Sequence, residues 1–156
     1  MIKEINIKDR KAAQQVLRVQ LQAYKIEAEI IEYPDLPPLK ETADTLRITG
    51  ETFFGYFIGE ELCGAISFKE NKDVIDIHRL IVHPEHFRKG IAQKLLNYIE
   101  RRPMIGKMIV TTGSKNTPAV AFYLKNGFSE VERININESL TITAFEKYLP
   151  NSDSSN

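Results

Sequence analysis

Residues 80 to 92 constrain the fold of this chain more than any other segment. Leu80 to Val82 end an apolar strand pattern, Pro84 stops it, and a basic turn containing Gly90 leads into a helical pattern. The first N–H groups of a helix lack intrahelical partners, and the helix dipole adds about half a positive charge there. The segment therefore predicts an anion-binding site at a strand-to-helix turn. Its glycine spacing matches neither the ATP-binding loop nor the dinucleotide fingerprint.

Length and composition narrow the classes of protein and partner. The chain has 156 residues, which is the length of one domain, and its 21 basic residues balance its 21 acidic ones. We therefore expect no broad positive field for nucleic acid or a membrane surface, and no apolar stretch is long enough to span a bilayer. The single cysteine, Cys63, and the absence of a signal-peptide core at the N-terminus favour the cytoplasm.

Hydrophobic periodicity predicts the order strand, two helices, three strands, helix, strand, helix, two strands. An α/β (α+β) fold with one mixed sheet and helices on both faces is the economical packing. The predicted strands are 2–7, 52–58, 61–69, 74–82, 107–112, 128–135 and 139–148. The predicted helices begin near 10, 40, 89 and 117. Residues 1–149 form the predicted domain, and residues 150–156 form a polar C-terminal tail.

Two signatures within this order resemble the GNAT superfamily of N-acetyltransferases, over essentially residues 1 to 148. The first is Val82-x-Pro84 followed by Arg88 to Ala92, which is similar to the family's pyrophosphate-binding turn, Arg/Gln-x-x-Gly-x-Gly/Ala. Phe87 stands where that pattern has Arg or Gln. The phosphate contacts in the family come largely from backbone N–H groups, which a change of side chain leaves in place.

The second signature runs from Asn116 through Ala119, Phe122 and Tyr123 to Asn126-Gly127-Phe128. The resemblance implies a single, mostly antiparallel sheet of about seven strands flanked by four helices, with the fourth and fifth strands splayed apart. It also implies acetyl-CoA as cosubstrate. The implied cofactor-binding residues are Leu80, Ile81, Val82, Arg88, Lys89, Gly90, Ile91, Ala92, Asn116 and Tyr123.

A base is useful in acetyl transfer because a protonated alkylamine costs about 4–5 kcal/mol to deprotonate near neutral pH. Alternation along the fourth strand predicts one face with Asp76, His78, Leu80 and Val82. It predicts the opposite face with Ile75, Ile77, Arg79 and Ile81. We therefore predict that His78 faces the acetyl site as the base, with Asp76 orienting it. The pair resembles the two strand histidines of arylalkylamine N-acetyltransferases, with Asp76 in place of the first. The alternative is a strand histidine held by hydrogen bonds.

Tyr123 is the predicted general acid for the departing thiolate. A phenol is about 1.5 pKa units weaker than a thiol as an acid, which costs about 2 kcal/mol. The alternative is an ordinary helix aromatic packed on the sheet, and Asn116 has the alternative of a helix cap. Cys63 is predicted to be a small core residue, and the spacing of His83 and His86 does not predict a metal site.

The resemblance implies an acceptor site walled by the first two helices, their connecting loop and the last strands. That region contains acidic residues beside aromatic and apolar ones, namely Glu27, Glu29, Glu32, Asp35, Tyr24, Tyr33 and Leu36. Such a wall suits a cationic amine with an apolar body. The alternative is a solvated helix face with a core stripe.

The expected function is acetyl transfer from acetyl-CoA to a primary amine of a small molecule. Two alternatives stay open, a non-catalytic acyl-CoA-binding sensor and a protein or peptide N-acetyltransferase. The resemblance also leaves a homodimer open.

Overall fold

The computed structural model describes residues 1–150, so the predicted tail lies almost wholly outside the described residues. Seven strands form one sheet: β1 (Ile2–Ile5), β2 (Thr52–Ile58), β3 (Glu61–Asn71), β4 (Val74–Val82), β5 (Lys107–Gly113), β6 (Ser129–Asn137) and β7 (Leu140–Tyr148). Four helices flank it: α1 (Arg10–Ile31), α2 (Ala43–Arg47), α3 (Ile91–Glu100) and α4 (Thr117–Lys125). The predicted fold class and element order are therefore confirmed. No helix in residues 1–150 combines the length and the apolar character needed to cross a membrane.

Two helix boundaries differ from the prediction for identifiable reasons. Helix α2 is shorter than expected because Pro37–Lys40 forms a separate 3-10 turn and Thr42 caps the helix. Helix α3 begins at Ile91 and not at Lys89, because Arg88 and Gly90 have φ values of 66° and 73°. Residues in this left-handed conformation cannot continue a right-handed helix, so α3 starts only after Gly90.

The sheet opens in its middle. The strand order is β1-β2-β3-β4-β5-β7-β6, and β4 and β5 are its parallel pair within residues 1–150. Their pairing ends with Ile77 opposite Val110, whereas β4 continues to Val82 and β5 to Gly113. The two strands therefore diverge over their carboxyl ends, where ligands bind in open α/β sheets. The implied splay of the fourth and fifth strands is present.

Two hydrophobic cores cover the two faces of the sheet. Helices α3 and α4 pack on one face, with Leu95, Leu96 and Tyr123 among the buried residues. Helix α1 packs on the other face through Val16 and Val19. The sheet thus separates α1 from α3 and α4 everywhere except at the gap between β4 and β5.

A bulge in β4 makes the predicted alternation of its side chains wrong. Ser67 lies opposite Arg79 and Phe68 lies opposite Ile77, so His78 is an extra residue in the ladder. An extra residue changes the parity of every side chain beyond it. Ile75 and Ile77 accordingly pack with α3, Ile81 packs with α1, and Leu80 and Val82 pack against the α3 core. Leu80 and Val82 therefore do not share a face with His78.

Gly64 tests how closely α3 is seated on the sheet. A Cβ at Gly64 would lie 2.8 Å from Cγ2 of Ile91 and 3.0 Å from the carbonyl oxygen of Ile81. We expect Gly64→Ala to lower the free energy of unfolding by about 1–3 kcal/mol in urea denaturation, because the methyl group overpacks the start of α3. Ile91→Ala is the partner in a double-mutant cycle. The double variant should lose less than the sum of the single losses. Strict additivity, or unchanged stability of Gly64→Ala, would contradict the close packing.

Candidate active site

A cavity of about 570 Å³ occupies the gap between β4 and β5. The wall consists of the end of β4, the turn before α3, the start of α3, part of helix α1, and helix α4 along its length. Every predicted cofactor-binding residue except Lys89 lines it, namely Leu80, Ile81, Val82, Arg88, Gly90, Ile91, Ala92, Asn116 and Tyr123. Residues that are distant in the sequence therefore meet in one cavity.

One end of the cavity has the geometry of an anion site. Gly90 is the N-cap of α3 and carries no capping side chain, so the first N–H groups of the helix stay free. Its φ of 73° is in the left-handed region, and a Cβ there would meet no atom within 4 Å. Glycine is thus required by the backbone conformation and not by crowding. Ala92 and Gln93 continue the helix along the wall.

The Lys89 side chain does not line this cavity. Its Nζ lies 2.9 Å from Nδ1 of His86, and Nε2 of His86 lies 2.8 Å from Oε2 of Glu61. The side chain therefore ties the turn to the start of β3. Lys89 could contact a cofactor here only through its backbone. The predicted contact stays a prediction.

Glu61, Cys63 and His86 bring three metal-ligating atoms within 4.8 Å of one another. Sequence spacing did not predict this group, because Glu61 and Cys63 lie on β3 and His86 lies in the turn after β4. Glu61 and Lys89 already engage both ring nitrogens of His86. Burial raises the pKa of the Cys63 thiol, which disfavours the thiolate that a metal needs. The expectation of no metal stays a prediction.

Side chains from opposite faces of the sheet meet in the gap. Nδ2 of Asn116, at the start of α4, donates a hydrogen bond to Oε1 of Glu27 on α1 at 3.1 Å. If β4 and β5 were paired along their whole length, the sheet would keep the side chains of α1 and α4 apart. Asn116 also caps α4, since its Oδ1 accepts from the N–H of Ala119 at 3.2 Å. Asn116 is therefore a helix cap that also holds Glu27. A cap can coexist with a cofactor contact, and that contact stays a prediction.

Glu27 is the functional candidate that sequence reasoning did not single out. It occupies the apolar stripe of α1, three residues after Tyr24 and four before Ile31. Gln20 interrupts the same stripe four residues before Tyr24 and is fully buried. Polar residues at core-facing positions were the available signal.

Burial controls the protonation of the acid and phenol groups in the cavity. Burial raises the pKa of Glu27, and the hydrogen bond from Asn116 opposes this rise. Burial first, and then the charge of Glu27, raise the pKa of Tyr24 and of Tyr123 above the usual phenol value. Both phenols therefore stay protonated at neutral pH. The centre of the Tyr123 ring lies 5.3 Å from that of Phe128, and Tyr123 also lines the cavity.

Residues 15–128 match the Acetyltransferase (GNAT) family. The chain belongs to this family. It is 36% identical over 149 residues to UPF0157 protein YqkA of Bacillus subtilis, which covers 95% of this chain and 43% of that protein. It is 29% identical over 80 residues to Streptothricin acetyltransferase of Escherichia coli, which covers 49% of this chain and 46% of that protein. The chain thus spans less than half the length of these curated relatives.

Solved structures share the GNAT fold at low sequence identity. The PaiA N-acetyltransferase of Thermoplasma acidophilum in complex with coenzyme A has a TM-score of 0.74 and 21% identity, over 96% of this chain and 99% of that chain. A ribosomal-protein alanine N-acetyltransferase of Escherichia coli has a TM-score of 0.74 and 12% identity, over 98% of this chain and 97% of that chain. The mixed sheet with four helices is therefore the GNAT acyltransferase fold, and the resemblance is confirmed.

The predicted base of this GNAT chain lies beside the cavity and not in its wall. Nε2 of His78 is 3.3 Å from Oδ2 of Asp76, so the predicted pair is in contact. Nδ1 of His78 is 3.2 Å from Oε2 of Glu51, and neither Asp76 nor His78 lines the cavity. Both side chains lie on the face opposite Ile75 and Ile77, whereas the bulge turns the residues after them, so Leu80 and Val82 lie on the other face. The geometry is that of a histidine held by two carboxylates, and the roles of His78 and Asp76 in catalysis stay predictions.

Arg79 is the centre of a buried polar network that the alternation pattern hid. The bulge directs its guanidinium to the α1 face, where it donates to Oε1 of Gln20 at 2.9 Å and to Oε1 of Glu51 at 3.0 Å, and also to Glu41. Burial would raise the pKa of Glu51, but hydrogen bonds from Arg79 and Ser67 outweigh it and hold this pKa below its usual range. The network joins α1, the proline-rich loop and β4, and so fixes the wall that carries Tyr24 and Glu27.

Removing Arg79 should destabilise the protein in a pH-dependent way. Arg79→Met leaves two carboxylates without their cation, and we expect a loss of about 3–5 kcal/mol near neutral pH. Glu51 has a lowered pKa, so its ion pair stabilises the wild type above the ordinary glutamate pKa, and this contribution is lost as pH falls through the lowered pKa. The difference between wild type and variant should therefore shrink in acid. Urea denaturation across pH measures it, with exposed Arg101→Met as the control. Equal losses in the two variants would contradict the network.

Proposed function

We propose that the chain transfers an acetyl group from acetyl-CoA directly to a primary amine of a small molecule. The observation that carries this proposal is the pairing of two sites in one cavity. The free helix end at Gly90 suits a diphosphate, and the cluster of Glu27, Asn116 and Tyr123 suits proton transfer. The strand edge of β4 connects them. A neighbour of the same fold binds coenzyme A, which supports the assignment of the cofactor.

The residues present fit acetyl-CoA along the whole cavity. The first N–H groups of α3 provide donors for phosphate oxygens, and Arg88 adds a positive charge at the same end. Beyond Ile77, β4 has no strand partner on its β5 side within residues 1–150, so its backbone can pair with an amide-containing arm. Acetyl-CoA supplies the activated thioester when bound.

Tyr123 holds a proton at its hydroxyl where the leaving thiolate needs one. The raised pKa keeps the phenol protonated over the whole working range of pH. The raised pKa also makes it harder for Tyr123 to give up its proton completely before the carbon–sulfur bond breaks. Tyr123 therefore acts by donating a hydrogen bond that becomes a proton transfer as negative charge develops on sulfur.

The walls on the acceptor side support a small-molecule amine. Nδ2 of Asn137 donates to the hydroxyl of Tyr33 at 3.1 Å, which joins the loop after α1 to the turn between β6 and β7. Ile31 packs against Gly113 nearby. A protein acceptor would need an open groove there. One relative is named for streptothricin, whereas one neighbour is named for a ribosomal-protein alanine, so peptides belong in the test.

A thiol-release screen with acetyl-CoA tests the function. The panel contains apolar monoamines, polyamines, aminoglycosides and peptides with a free N-terminus. We expect amine-dependent thiol release with an acetylated small amine as product in mass spectrometry. Tight coenzyme A binding in calorimetry, with no release across the panel, would instead support the sensor. Release with peptides alone would overturn the small-molecule acceptor.

Ala92→Asp separates binding at the helix end from folding. Ala92 is the second residue of α3, where a carboxylate stabilises a helix but repels a diphosphate. We expect the free energy of unfolding to stay equal or rise slightly, while the affinity for coenzyme A falls by about tenfold or more. Calorimetry and urea denaturation measure the two quantities, and Ala92→Asn is the neutral control. Equal affinities of the two variants would place the diphosphate elsewhere.

Tyr123→Phe isolates the hydroxyl from the ring. The ring packing on Phe128 is kept, so we expect normal stability and normal coenzyme A affinity. We expect kcat to fall by about 100-fold, because the leaving thiolate loses its proton donor. Steady-state kinetics measure this, with Tyr98→Phe on the exposed side of α3 as the control. Full turnover of Tyr123→Phe at neutral and at high pH would show that Tyr123 is only a core aromatic.

A further inference from the structure

Glu27 is a half-buried carboxylate without a cation. Within residues 1–150 it accepts one hydrogen bond, from Asn116, and forms no ion pair. The carboxylates of Glu41 and Glu51, by contrast, lie on the guanidinium of Arg79. A buried charge is costly unless it is paired. The uncompensated charge of Glu27 indicates that its partner arrives with a ligand.

The position of Glu27 separates it from the basic residues of the cavity. It is the acidic residue of the wall, beside Asn116 at the start of α4. Lys125 lies at the other end of α4, and Arg88 lies in the turn before α3. Gln93 near the start of α3 donates a hydrogen bond to Asn126, which follows Lys125, so the positive charges of the wall lie toward the start of α3. Glu27 lies at the opposite end of α4, beside Asn116. A molecule that brings a positive charge to Glu27 is not the cofactor.

The surroundings of Glu27 suit an ammonium group with an apolar body. Tyr24 lies one helical turn before it, and Ile26 and Ile30 line the same wall. Aromatic faces and aliphatic groups stabilise an alkylammonium, whereas the carboxylate fixes its charged end. Tyr123 reaches the same space from the other face of the sheet. The proton acceptor and the proton donor thus share the gap.

We propose that the carboxylate of Glu27 binds the ammonium of the acceptor and removes its proton, acting as the general base of the transfer. This inference rests on the proposed function. The N–H proton passes to a Glu27 oxygen, and the freed nitrogen lone pair forms the carbon–nitrogen bond to the acetyl carbon. The carbon–sulfur bond breaks, and the departing thiolate takes the proton of Tyr123. The nitrogen still carries two protons after the carbon–nitrogen bond forms, and it releases one of them to water. The proton on Glu27 then returns to the Tyr123 oxygen, so the products are an amide, a thiol and one released proton.

The electrostatic environment supports this role. Burial raises the pKa of Glu27, which makes the carboxylate a stronger base and brings its pKa nearer to that of the amine. The residue also loses little hydration when the acceptor arrives, because it is already half-buried. His78 is the competing base, but its ring faces Asp76 and Glu51 outside the cavity wall.

The test is the pH dependence of kcat/KM in Glu27→Gln. We expect a loss of about 100-fold or more near neutral pH. The loss should shrink as pH rises toward the pKa of the amine, about 10.4 for an alkylamine, because the free base then needs no deprotonation. An acceptor that is already neutral at pH 7, such as aniline, should lose much less kcat/KM. If Glu27 had a purely structural role, Glu27→Gln would lower kcat/KM by the same factor for both acceptors at every pH.

Two further variants decide between the candidate bases. Glu29→Gln is the matched control, because Glu29 is exposed on the same helix outside the cavity, and we expect wild-type kinetics. His78→Ala should reduce kcat/KM without the selective recovery at high pH. Full activity of Glu27→Gln, or selective recovery in His78→Ala alone, would overturn the role of Glu27. A wild-type protein that releases no thiol with any amine would instead overturn the proposed function itself.

Discussion

The end of pairing between β4 and β5 is the constraint on which the cavity depends. After Ile77 and Val110 the two parallel strands separate, although each continues for several residues. The facing backbone groups lose their ladder partners, and such groups need replacement hydrogen bonds. The gap is thus both a cavity and an unsatisfied strand edge, which explains why an extended ligand with amide groups suits it. It also lets Glu27 on one face reach Asn116 on the other.

The bulge at His78 sets what surrounds this gap. One extra residue reverses the parity of β4, so Arg79 enters the α1 side and Leu80 returns to the α3 side. Arg79 then pairs with both Glu41 and Glu51, and its hydrogen bond to Gln20 holds α1 against the sheet. Both carboxylates of that network contact a cation, whereas Glu27, two turns further along α1 from Gln20, contacts none within residues 1–150. Helix α1 therefore carries one polar residue that stabilises the fold, Gln20, and one whose carboxylate is available to a ligand, Glu27.

Features that depend on residues close together in the sequence were predicted from it, whereas features that depend on contacts between distant segments were not. Periodicity predicted the elements, because one strand or helix face is a local property. The turn before α3 was predicted for the same reason, since Gly90 marks it within a few residues. The bulge was missed because it exists only in the register between β3 and β4, and no pattern within β4 shows it. The side-chain partner of Lys89, His86, was not predicted because it depends on how the turn folds back. Glu27 was left within a region, although its place in the apolar stripe marked it as unusual.

Placing a carboxylate and a phenol on opposite sides of one gap couples their protonation. The charge of Glu27 is one of the causes of the raised pKa of Tyr123, after burial. In the proposed mechanism Glu27 becomes neutral when it takes the proton of the amine, and that cause then disappears. Tyr123 consequently becomes a better acid at the moment when the amine has become a nucleophile. Before an acceptor binds, the same charge keeps the proton on Tyr123, so the acid is held in its protonated form until the base has acted.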